Sequence, residues 1–364
     1  MINISQIKLT TTEIEAINKT LRSGQLVQGE VTEKLESEFA KYHRAQHAIA
    51  VNSGTAALHC ALYALGIKAG DEVITSPFTF AATANAILML GATPVFVDID
   101  ESTFNLDPSQ IEAQISKKTK AILTVDLYGQ LADYVQIRKI AKKYKLPIVA
   151  DSCQAIGAEL AGQKVSQLTD IACFSLYATK NMMCGEGGMI TTNSAKLNKL
   201  CRQFRNHGQK EGQRYEYVDL GFNYRLTDVF SSLALEQLKK VDKLNKKRLA
   251  NAKFLLAKLK NIKGLILPTI NKDSTHVFHQ FTIHITPDFV LSRAKLMAYL
   301  LENGIASNIY YPKALHEFSH FGQQKGAFPI TEKISSQVLS LPVHPFLKKK
   351  ELLYLVKIIQ QYGN

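Results

Sequence analysis

The sequence predicts an α/β fold in which a large three-layer α/β/α domain with a mostly parallel sheet is followed by a smaller α+β domain. Short apolar strands alternate with helical segments through the middle of the chain, as is typical of a parallel sheet covered by helices on both faces. After Thr227 a long lysine-rich helical stretch and a β-rich segment replace that alternation. Because 364 residues are enough for two domains, we expect the large domain over residues 1–240 and the small one over residues 241–364.

Two strand–helix–strand units carry the alternation. The first has strands at residues 73–75 and 94–98 around a helix at 80–90, and the second has strands at 121–125 and 146–151 around a helix at 134–144. Residues 73–97 contain no charged side chain, which raises the possibility of a membrane span. Pro77, Gly91 and Pro94 interrupt this stretch. We therefore interpret it as part of the fold and expect no membrane interaction.

Further predicted strands lie at residues 171–176 and 189–192. The later part of the chain has a lysine-rich helix within residues 238–263, a β-rich segment at 277–285 and a helix at 291–303. Asp98, Asp126 and Asp151 each follow a strand of the predicted parallel sheet. Since ligands bind beyond the carboxyl ends of such strands, we expect all three carboxylates to face one crevice.

The charge balance favours anionic ligands in a general way. The chain has 44 basic and 31 acidic side chains, a formal net charge of +13. The densest basic segment, residues 238–263, has leucine and alanine at helical spacing between its lysines, which is typical of a solvated helix face. No basic arm or aromatic-laced basic patch is present, and we expect no nucleic-acid partner.

Cysteine usage indicates a reducing compartment. The five cysteines are odd in number and form no CxxC pair, so we expect free thiols, no metal site and a cytoplasmic location. Residues 1–12 lack the apolar core of a signal peptide, which agrees with that location.

Lys180 is the first candidate for chemistry. It lies between a strand-like apolar run and a turn that contains Gly185, Gly187 and Gly188. An amine held among apolar and small neighbours is more easily deprotonated than one in water, and a neutral amine can bond covalently to an aldehyde. Taken alone, however, a lysine is more often an ordinary surface charge.

Three further segments supply complementary groups. Asn52, Ser53, Gly54 and Thr55 lead from a strand into a helix, which suits a phosphate, although a plain helix cap has the same pattern. Asp151 can hold a proton on a pyridine nitrogen, or simply end a strand in a turn. Phe80 can stack on a flat ring, or belong to the core. In this order, together with Lys180, these groups describe a site for pyridoxal 5′-phosphate.

The same residues lie in motifs that resemble the DegT/DnrJ/StrS family of aminotransferases. The resemblance extends over nearly the whole chain, through LRSG, NSGTAALH, TFAATANAI, PVFVDID, LYGQ, DSCQA, YATKN, GEGG, NHG, GFNYRLTD and SLPVHP. It implies the fold of aspartate aminotransferase and the transfer of an amino group from glutamate or glutamine to a nucleotide-linked keto-sugar. The product would be an amino-sugar nucleotide for the biosynthesis of polysaccharides or related glycans.

The resemblance also implies roles for individual residues. Lys180 would bind the cofactor covalently and move the proton, and Asp151 would pair with the pyridine nitrogen. The other implied cofactor contacts are Gln154 beside the 3′-oxygen, Phe80 on the ring, and Gly54, Thr55, Ala56 and Ser175 at the phosphate. Asn223 would reach the phosphate of the neighbouring subunit's cofactor, which implies a homodimer with shared sites. Tyr311 and His316 match a segment that approaches the sugar.

Three positions depart from the usual family pattern. Asp126 stands where many relatives have histidine, Cys153 replaces a common alanine, and Gln25 stands where a tryptophan often follows Ser-Gly. These changes bear on the shape of the substrate pocket. Two other functions remain open: a sugar dehydratase on the same fold, whose members carry histidine in place of Lys180, and a regulatory or binding protein without turnover.

Overall fold

The structure is a computed structural model, and it describes residues 1–322 and 326–362. Its α-helices are α1 (Thr11–Ser23), α2 (Glu30–His43), α3 (Gly54–Ala64), α4 (Ala81–Leu88), α5 (Pro108–Ile111), α6 (Tyr134–Tyr144), α7 (Ala195–Arg205), α8 (Asp228–Leu238), α9 (Val241–Leu259), α10 (Arg293–Glu302), α11 (Pro329–Gln337) and α12 (Lys349–Gln360). Short 3₁₀ helices lie at Glu112–Gln114, Leu127–Gly129, Val165–Gln167, Leu315–Glu317 and Ser319–Phe321.

The strands are β1 (His47–Val51), β2 (Glu72–Thr75), β3 (Thr93–Phe96), β4 (Thr119–Val125), β5 (Ile148–Asp151), β6 (Glu159–Leu160), β7 (Gln163–Lys164), β8 (Ile171–Ser175), β9 (Gly188–Thr192), β10 (Leu265–Ile266), β11 (Ser274–Thr275), β12 (Phe281–Ile285) and β13 (Val338–Leu341). A seven-stranded sheet has the order β1-β9-β8-β5-β4-β2-β3. Its pairs from β8 to β3 are parallel, and β9 pairs antiparallel with both β1 and β8. The predicted α/β fold with a mostly parallel sheet is confirmed.

Helices cover both faces of the large sheet, and each face has its own apolar cluster. Within β4, Ile122 belongs to one cluster and Leu123 to the other; within β5, Ala150 and Val149 divide in the same way. Successive side chains of a strand point to opposite faces, so an almost unbroken apolar strand is buried on both sides. The result is the predicted three-layer arrangement.

The C-terminal part forms a second structural unit around a smaller antiparallel sheet. Strand β12 lies between β10 and β13, and a third apolar cluster joins this sheet to α9, α10 and α12. Ile2 at the beginning of the chain also packs in this cluster and pairs with Ile305. The division into residues 1–240 and 241–364 stays a prediction, and its last two residues lie outside the described part of the chain.

Most predicted elements begin and end within a few residues of the observed ones, with one informative difference. The β-rich segment expected from residue 277 becomes strand only at Phe281. The backbone N–H of Val277 instead donates to Gly129 O at 2.9 Å, and that of Gln280 to Tyr128 O at 3.3 Å. These bonds tie the segment to the loop after β4, so it crosses the end of the large sheet before the small sheet begins.

Candidate functional site

A cleft of about 490 Å³ lies at the carboxyl ends of the parallel strands. Predicted site residues in its lining are Gly54, Thr55, Phe80, Asp151, Gln154, Ser175, Lys180 and Tyr311. They come from segments far apart in sequence, because parallel strands end at the same edge of a sheet. The structure therefore brings together eight of the eleven residues that sequence reasoning selected.

The start of α3 forms one wall of the cleft. Ser53 caps this helix, its Oγ accepting the backbone N–H of Ala56 at 3.1 Å. The next two residues, Gly54 and Thr55, line the cleft. A Cβ on Gly54 would lie 3.0 Å from both Cys153 Sγ and Ser175 Cβ, so a side chain there would crowd this wall. The helix start offers backbone N–H groups and hydroxyls, the donors that a phosphate group takes.

Asp151 ends β5 and is 6% exposed. Its Oδ2 accepts the hydroxyl of Thr83 at 2.7 Å, and its Oδ1 accepts the backbone N–H of Cys153 at 3.2 Å. Thr83 in turn pairs with the Thr79 hydroxyl at 2.9 Å. These contacts hold the carboxylate in one orientation at the base of the cleft.

Lys180 lies in the loop between β8 and β9, where its backbone N–H donates to Tyr177 O at 2.8 Å. Burial lowers the pKa of its amine, against the opposing influence of Cys153 and Asp151, which raise it. Within residues 1–322 and 326–362, its Nζ has no hydrogen-bond partner or ion-pair partner. Burial thus favours the neutral form of this amine relative to a lysine in water.

Gln154 and the aromatic residues Phe80 and Tyr311 form another part of the cleft lining. The Gln154 amide donates to the Tyr311 hydroxyl at 3.2 Å, and its Oε1 accepts the backbone N–H of Tyr128 at 2.9 Å. Phe80, 59% exposed, lies with its ring centre 6.2 Å from that of Tyr311. An exposed ring at the mouth of a cleft is available to contact a flat ligand.

Three predicted residues lie outside the lining. Ala56 is buried one turn into α3, Asn223 is exposed beside Asn52, and His316 is fully buried with its Nε2 3.0 Å from Glu332 Oε1. The roles assigned to them stay predictions.

The expectation that three aspartates face one crevice was wrong for Asp98 and Asp126. The Asp98 carboxylate accepts the backbone N–H groups of Ile330 and Thr331 at 3.0 and 2.9 Å, and so caps α11. Asp126 is fully buried behind Asp151 and accepts the Ala132 N–H at 2.9 Å. Both carboxylates accept hydrogen bonds from loops and helices whose positions cannot be inferred from the pattern of the strands.

Asp126 leads to a prediction about stability. Burial raises its pKa to about 7, although hydrogen bonds from Ser152, Ala132 and Tyr134 oppose the shift. The unfolded carboxyl loses its proton near pH 4, so the folded state alone keeps the proton between about pH 4 and 7. Over that window this group lowers the free energy of unfolding as pH rises, by about 1.4 kcal/mol per unit.

We therefore expect Asp126→Asn, which resembles the protonated acid and does not titrate, to gain stability relative to the wild type as pH rises from 5 to 8. Urea unfolding at several pH values measures this difference. Parallel pH profiles for the two proteins would show that Asp126 is already ionised at pH 5 in the folded state.

Sequence reasoning missed several residues of the lining. They are Leu58, Thr79, Ala82, Val125, Tyr177, Thr179, Glu186, His279, Gln280 and Tyr310; Ser53 and Cys153, which the sequence analysis named, also line the cleft. It also missed Thr83, which holds Asp151. The four-residue spacing of Thr79 and Thr83 at the start of α4 was an available signal. His279 and Gln280 gave no signal, because their position depends on how the segment before β12 crosses the sheet.

The donor set fits pyridoxal phosphate. At the start of α3, Gly54 leaves room that a larger residue would fill, and Thr55 and Ser175 line the cleft with their hydroxyls. The carboxylate of Asp151 and the amine of Lys180, whose pKa is lowered by burial, line the same cleft. Among the described residues there is no group of His, Cys, Asp and Glu side chains suited to a metal ion. No helix in that part of the chain has the length and apolar character to cross a membrane.

Relatives of known sequence match the chain over most of its length. A relative from Geobacillus stearothermophilus called "Pleiotropic regulatory protein" is 40% identical, covering 96% of this chain and 94% of that protein. The UDP-2-acetamido-2-deoxy-3-oxo-D-glucuronate aminotransferase of Pseudomonas aeruginosa is 37% identical, with 91% and 90% covered. The dTDP-3-amino-3,6-dideoxy-alpha-D-galactopyranose transaminase of Aneurinibacillus thermoaerophilus is 38% identical, with 96% and 94% covered.

Solved structures of related proteins are also similar to this chain over most of its length. DesV from S. venezuelae is 34% identical with a TM-score of 0.92, covering 97% of this chain and 94% of that one. The NtdA structure from Bacillus subtilis, with bound cofactor PMP, is 33% identical with a TM-score of 0.88, covering 99% and 86%.

The sequence profile of the DegT/DnrJ/EryC1/StrS aminotransferase family matches residues 8–360. This match covers nearly the whole chain and includes every motif of the predicted resemblance. The chain belongs to the DegT/DnrJ/EryC1/StrS aminotransferase family.

Proposed function

We propose that this aminotransferase moves an amino group from glutamate or glutamine to a nucleotide-linked keto-sugar, with pyridoxal 5′-phosphate as its cofactor. The observation that carries the proposal is the amine of Lys180, buried with a lowered pKa in the same cleft as the fixed carboxylate of Asp151. Bound pyridoxal phosphate supplies an aldehyde for amines and a ring that withdraws electrons.

Each residue of the cleft would have a distinct role in this reaction. Lys180 would hold the cofactor and, once free, would move a proton from the donor's α-carbon as a base. Asp151 keeps the proton on the ring nitrogen, and its bonds from Thr83 and Cys153 aim it. Gly54, Thr55, Ala56 and Ser175 would hold the phosphate, Gln154 would contact the 3′-oxygen, and Phe80 would cover the ring. Tyr311 and His316 belong to the segment proposed to approach the sugar.

The names of the relatives support a nucleotide-sugar substrate. The Pseudomonas aeruginosa protein is named for a UDP-linked keto-sugar, and the Aneurinibacillus thermoaerophilus protein for a dTDP-linked amino-sugar. A diphosphate substrate also suits a chain with a formal net charge of +13. The product would serve the biosynthesis of polysaccharides or related glycans.

We infer a homodimer with shared sites from the surface around Asn223. The preceding segment exposes Tyr215, Tyr217, Val218 and Leu220, each more than half accessible. Contiguous exposed apolar side chains mark protein contact sites. We infer that a second copy of this chain covers them and that Asn223, which follows this segment and is exposed, reaches the neighbour's cofactor phosphate. All five cysteines are free thiols, which supports a cytoplasmic reaction.

Asn223→Ala is predicted to weaken cofactor binding about tenfold while the protein remains dimeric, because the amide would contact the partner's cofactor phosphate. Titration of the cofactor-free dimer by absorbance measures the dissociation constant, and light scattering measures the mass. Gln136→Ala, which removes an exposed side-chain amide on α6 outside the cleft lining, is the control. An unchanged dissociation constant in an intact Asn223→Ala dimer would refute the phosphate contact.

The substrate is tested with a panel of keto-sugars. The purified protein is incubated with pyridoxal phosphate, glutamate or glutamine, and UDP-, GDP- and dTDP-linked keto-sugars, and mass spectrometry detects the aminated product. One aminated nucleotide sugar, absent with Lys180→Ala, supports the proposal. Loss of water from the sugar without amination would indicate the dehydratase, against which the presence of Lys180 argues. No turnover with any sugar would favour the regulatory alternative.

A further inference from the structure

The hydroxyl of Tyr311 makes one hydrogen bond in the cleft, to the side chain of Gln154. Both residues line the cleft, and Gln154 Nε2 lies 3.2 Å from the hydroxyl oxygen of Tyr311. The oxygen of the same amide, Oε1, accepts the backbone N–H of Tyr128 at 2.9 Å. A backbone N–H only donates, so the amide oxygen has to face Tyr128 and the NH₂ group has to face Tyr311.

This orientation determines the direction of the hydrogen bond between Gln154 and Tyr311. An NH₂ group only donates, so the Tyr311 oxygen accepts and the hydroxyl hydrogen points elsewhere. Among the residues that the structure describes, none accepts that hydrogen. Burial, reinforced by the negative charge of Asp151, raises the pKa of this phenol, so the hydrogen stays on the oxygen at neutral pH. The hydroxyl is therefore a donor with an unused hydrogen in the wall of the cleft.

Tyr128 holds both partners of this hydrogen bond in place. Tyr128 is 3% exposed; its backbone N–H binds Gln154, and its hydroxyl donates to the backbone oxygen of Tyr310. The ring of Tyr311 lies edge-on to the buried ring of Phe78, with 6.3 Å between the ring centres. A donor that is held in position before a ligand binds loses little freedom on binding.

The surroundings of the Tyr311 hydroxyl indicate which oxygen takes its hydrogen. A ligand that fills the cleft displaces water from this hydroxyl, so an oxygen of the ligand has to replace that water or the donor loses its partner. Gln154 adjoins the hydroxyl, and the charge of Asp151 reaches it. In the proposed function these two residues bind the 3′-oxygen and the ring nitrogen of the cofactor. This neighbourhood favours the 3′-oxygen of the cofactor over an oxygen of the sugar.

We propose that Tyr311 donates its hydroxyl hydrogen to the 3′-oxygen of bound pyridoxal phosphate, beside Gln154. This inference rests on the proposed function, and it adds a cofactor contact to the sugar-facing role predicted for this segment. The hydrogen bonds then run in one direction, from Gln154 through Tyr311 to the ligand, and each bond polarises the next. Such a chain stabilises negative charge on the 3′-oxygen.

The test compares two cofactors in the cofactor-free full chain. One is pyridoxal phosphate, and the other is 3-deoxypyridoxal 5′-phosphate, which carries hydrogen in place of the 3′-oxygen. Calorimetric titration gives the dissociation constant of each for the wild type and for Tyr311→Phe. We expect Tyr311→Phe to reduce the preference for pyridoxal phosphate over the analogue about tenfold, the loss of one hydrogen bond to a charged oxygen, and to leave the affinity for the analogue nearly unchanged.

The preference is a ratio measured within one protein, so a partly unfolded variant does not alter it. Tyr144→Phe, which removes an exposed hydroxyl on α6 outside the cleft lining, is the control and should keep the wild-type preference. An unchanged preference in Tyr311→Phe overturns the proposal, and if the KM for the keto-sugar rises instead, the hydrogen belongs to a sugar oxygen. A wild type that binds neither cofactor refutes the proposed function itself, and this inference with it.

Discussion

Lys180→Ala is expected to lower the rate of transamination by about 10²- to 10⁴-fold, the contribution of a general base, and to abolish covalent attachment of the cofactor. The reason lies in the position of the amine. Lys180 lines the cleft, and burial there lowers the pKa of its amine. An alanine leaves nothing there to accept the proton from the donor's α-carbon.

Lys180→Arg separates charge from basicity. A guanidinium keeps the positive charge but does not lose its proton in a protein, so this variant should fail like Lys180→Ala. Borohydride reduction of the wild type, followed by peptide mapping, should find the cofactor mass on Lys180 alone. The mass on another residue, or on none, contradicts this mechanism. Lys164→Ala removes another buried lysine, one paired with Glu159 at 3.0 Å outside the cleft, and serves as the control.

Asp151→Asn is expected to lower the rate about 10²- to 10³-fold, the range for loss of one preorganised electrostatic contact in an active site. The amide keeps the shape of the side chain but carries no charge to retain a proton on the ring nitrogen. The single-turnover rate with saturating glutamate measures the effect, and the unfolding midpoint controls for stability.

Thr83→Val gives a graded comparison. It removes one of two hydrogen bonds to Asp151 and leaves the charge, so the rate should fall about tenfold, well short of the effect of Asp151→Asn. A wild-type rate for Asp151→Asn, or a larger loss for Thr83→Val than for Asp151→Asn, would contradict the role assigned to the carboxylate.

The predictability of this fold follows from its strands. The strands β4 and β5 are buried on both faces over most of their length, so they appear in the sequence as mainly apolar runs. Their ends were therefore predicted closely, and with them the location of Asp151. The segment before β12 was not, because its hydrogen bonds go to Tyr128 and Gly129, about 150 residues earlier in the chain.

The site likewise contains residues that local sequence locates and residues whose orientation depends on distant contacts. Gly54, Ser175 and Lys180 lie next to strands or helix starts that local pattern identifies. Asp98 and Asp126 also follow strands, yet their carboxylates bind α11 and the loop before α6 instead of the cleft. No local pattern distinguishes these cases, since each carboxylate takes the donors that tertiary packing brings nearest.

By itself the sequence determined the α/β fold, the family, and the presence of an amine at Lys180 and a carboxylate at Asp151 after buried strands. Only the tertiary structure decided what holds them and what faces them. Thr83 reaches Asp151 across 68 residues of sequence, and Gln154 reaches Tyr311 across 157. The physical reason is that side-chain orientation depends on hydrogen-bond partners, and these partners meet only when distant segments pack together.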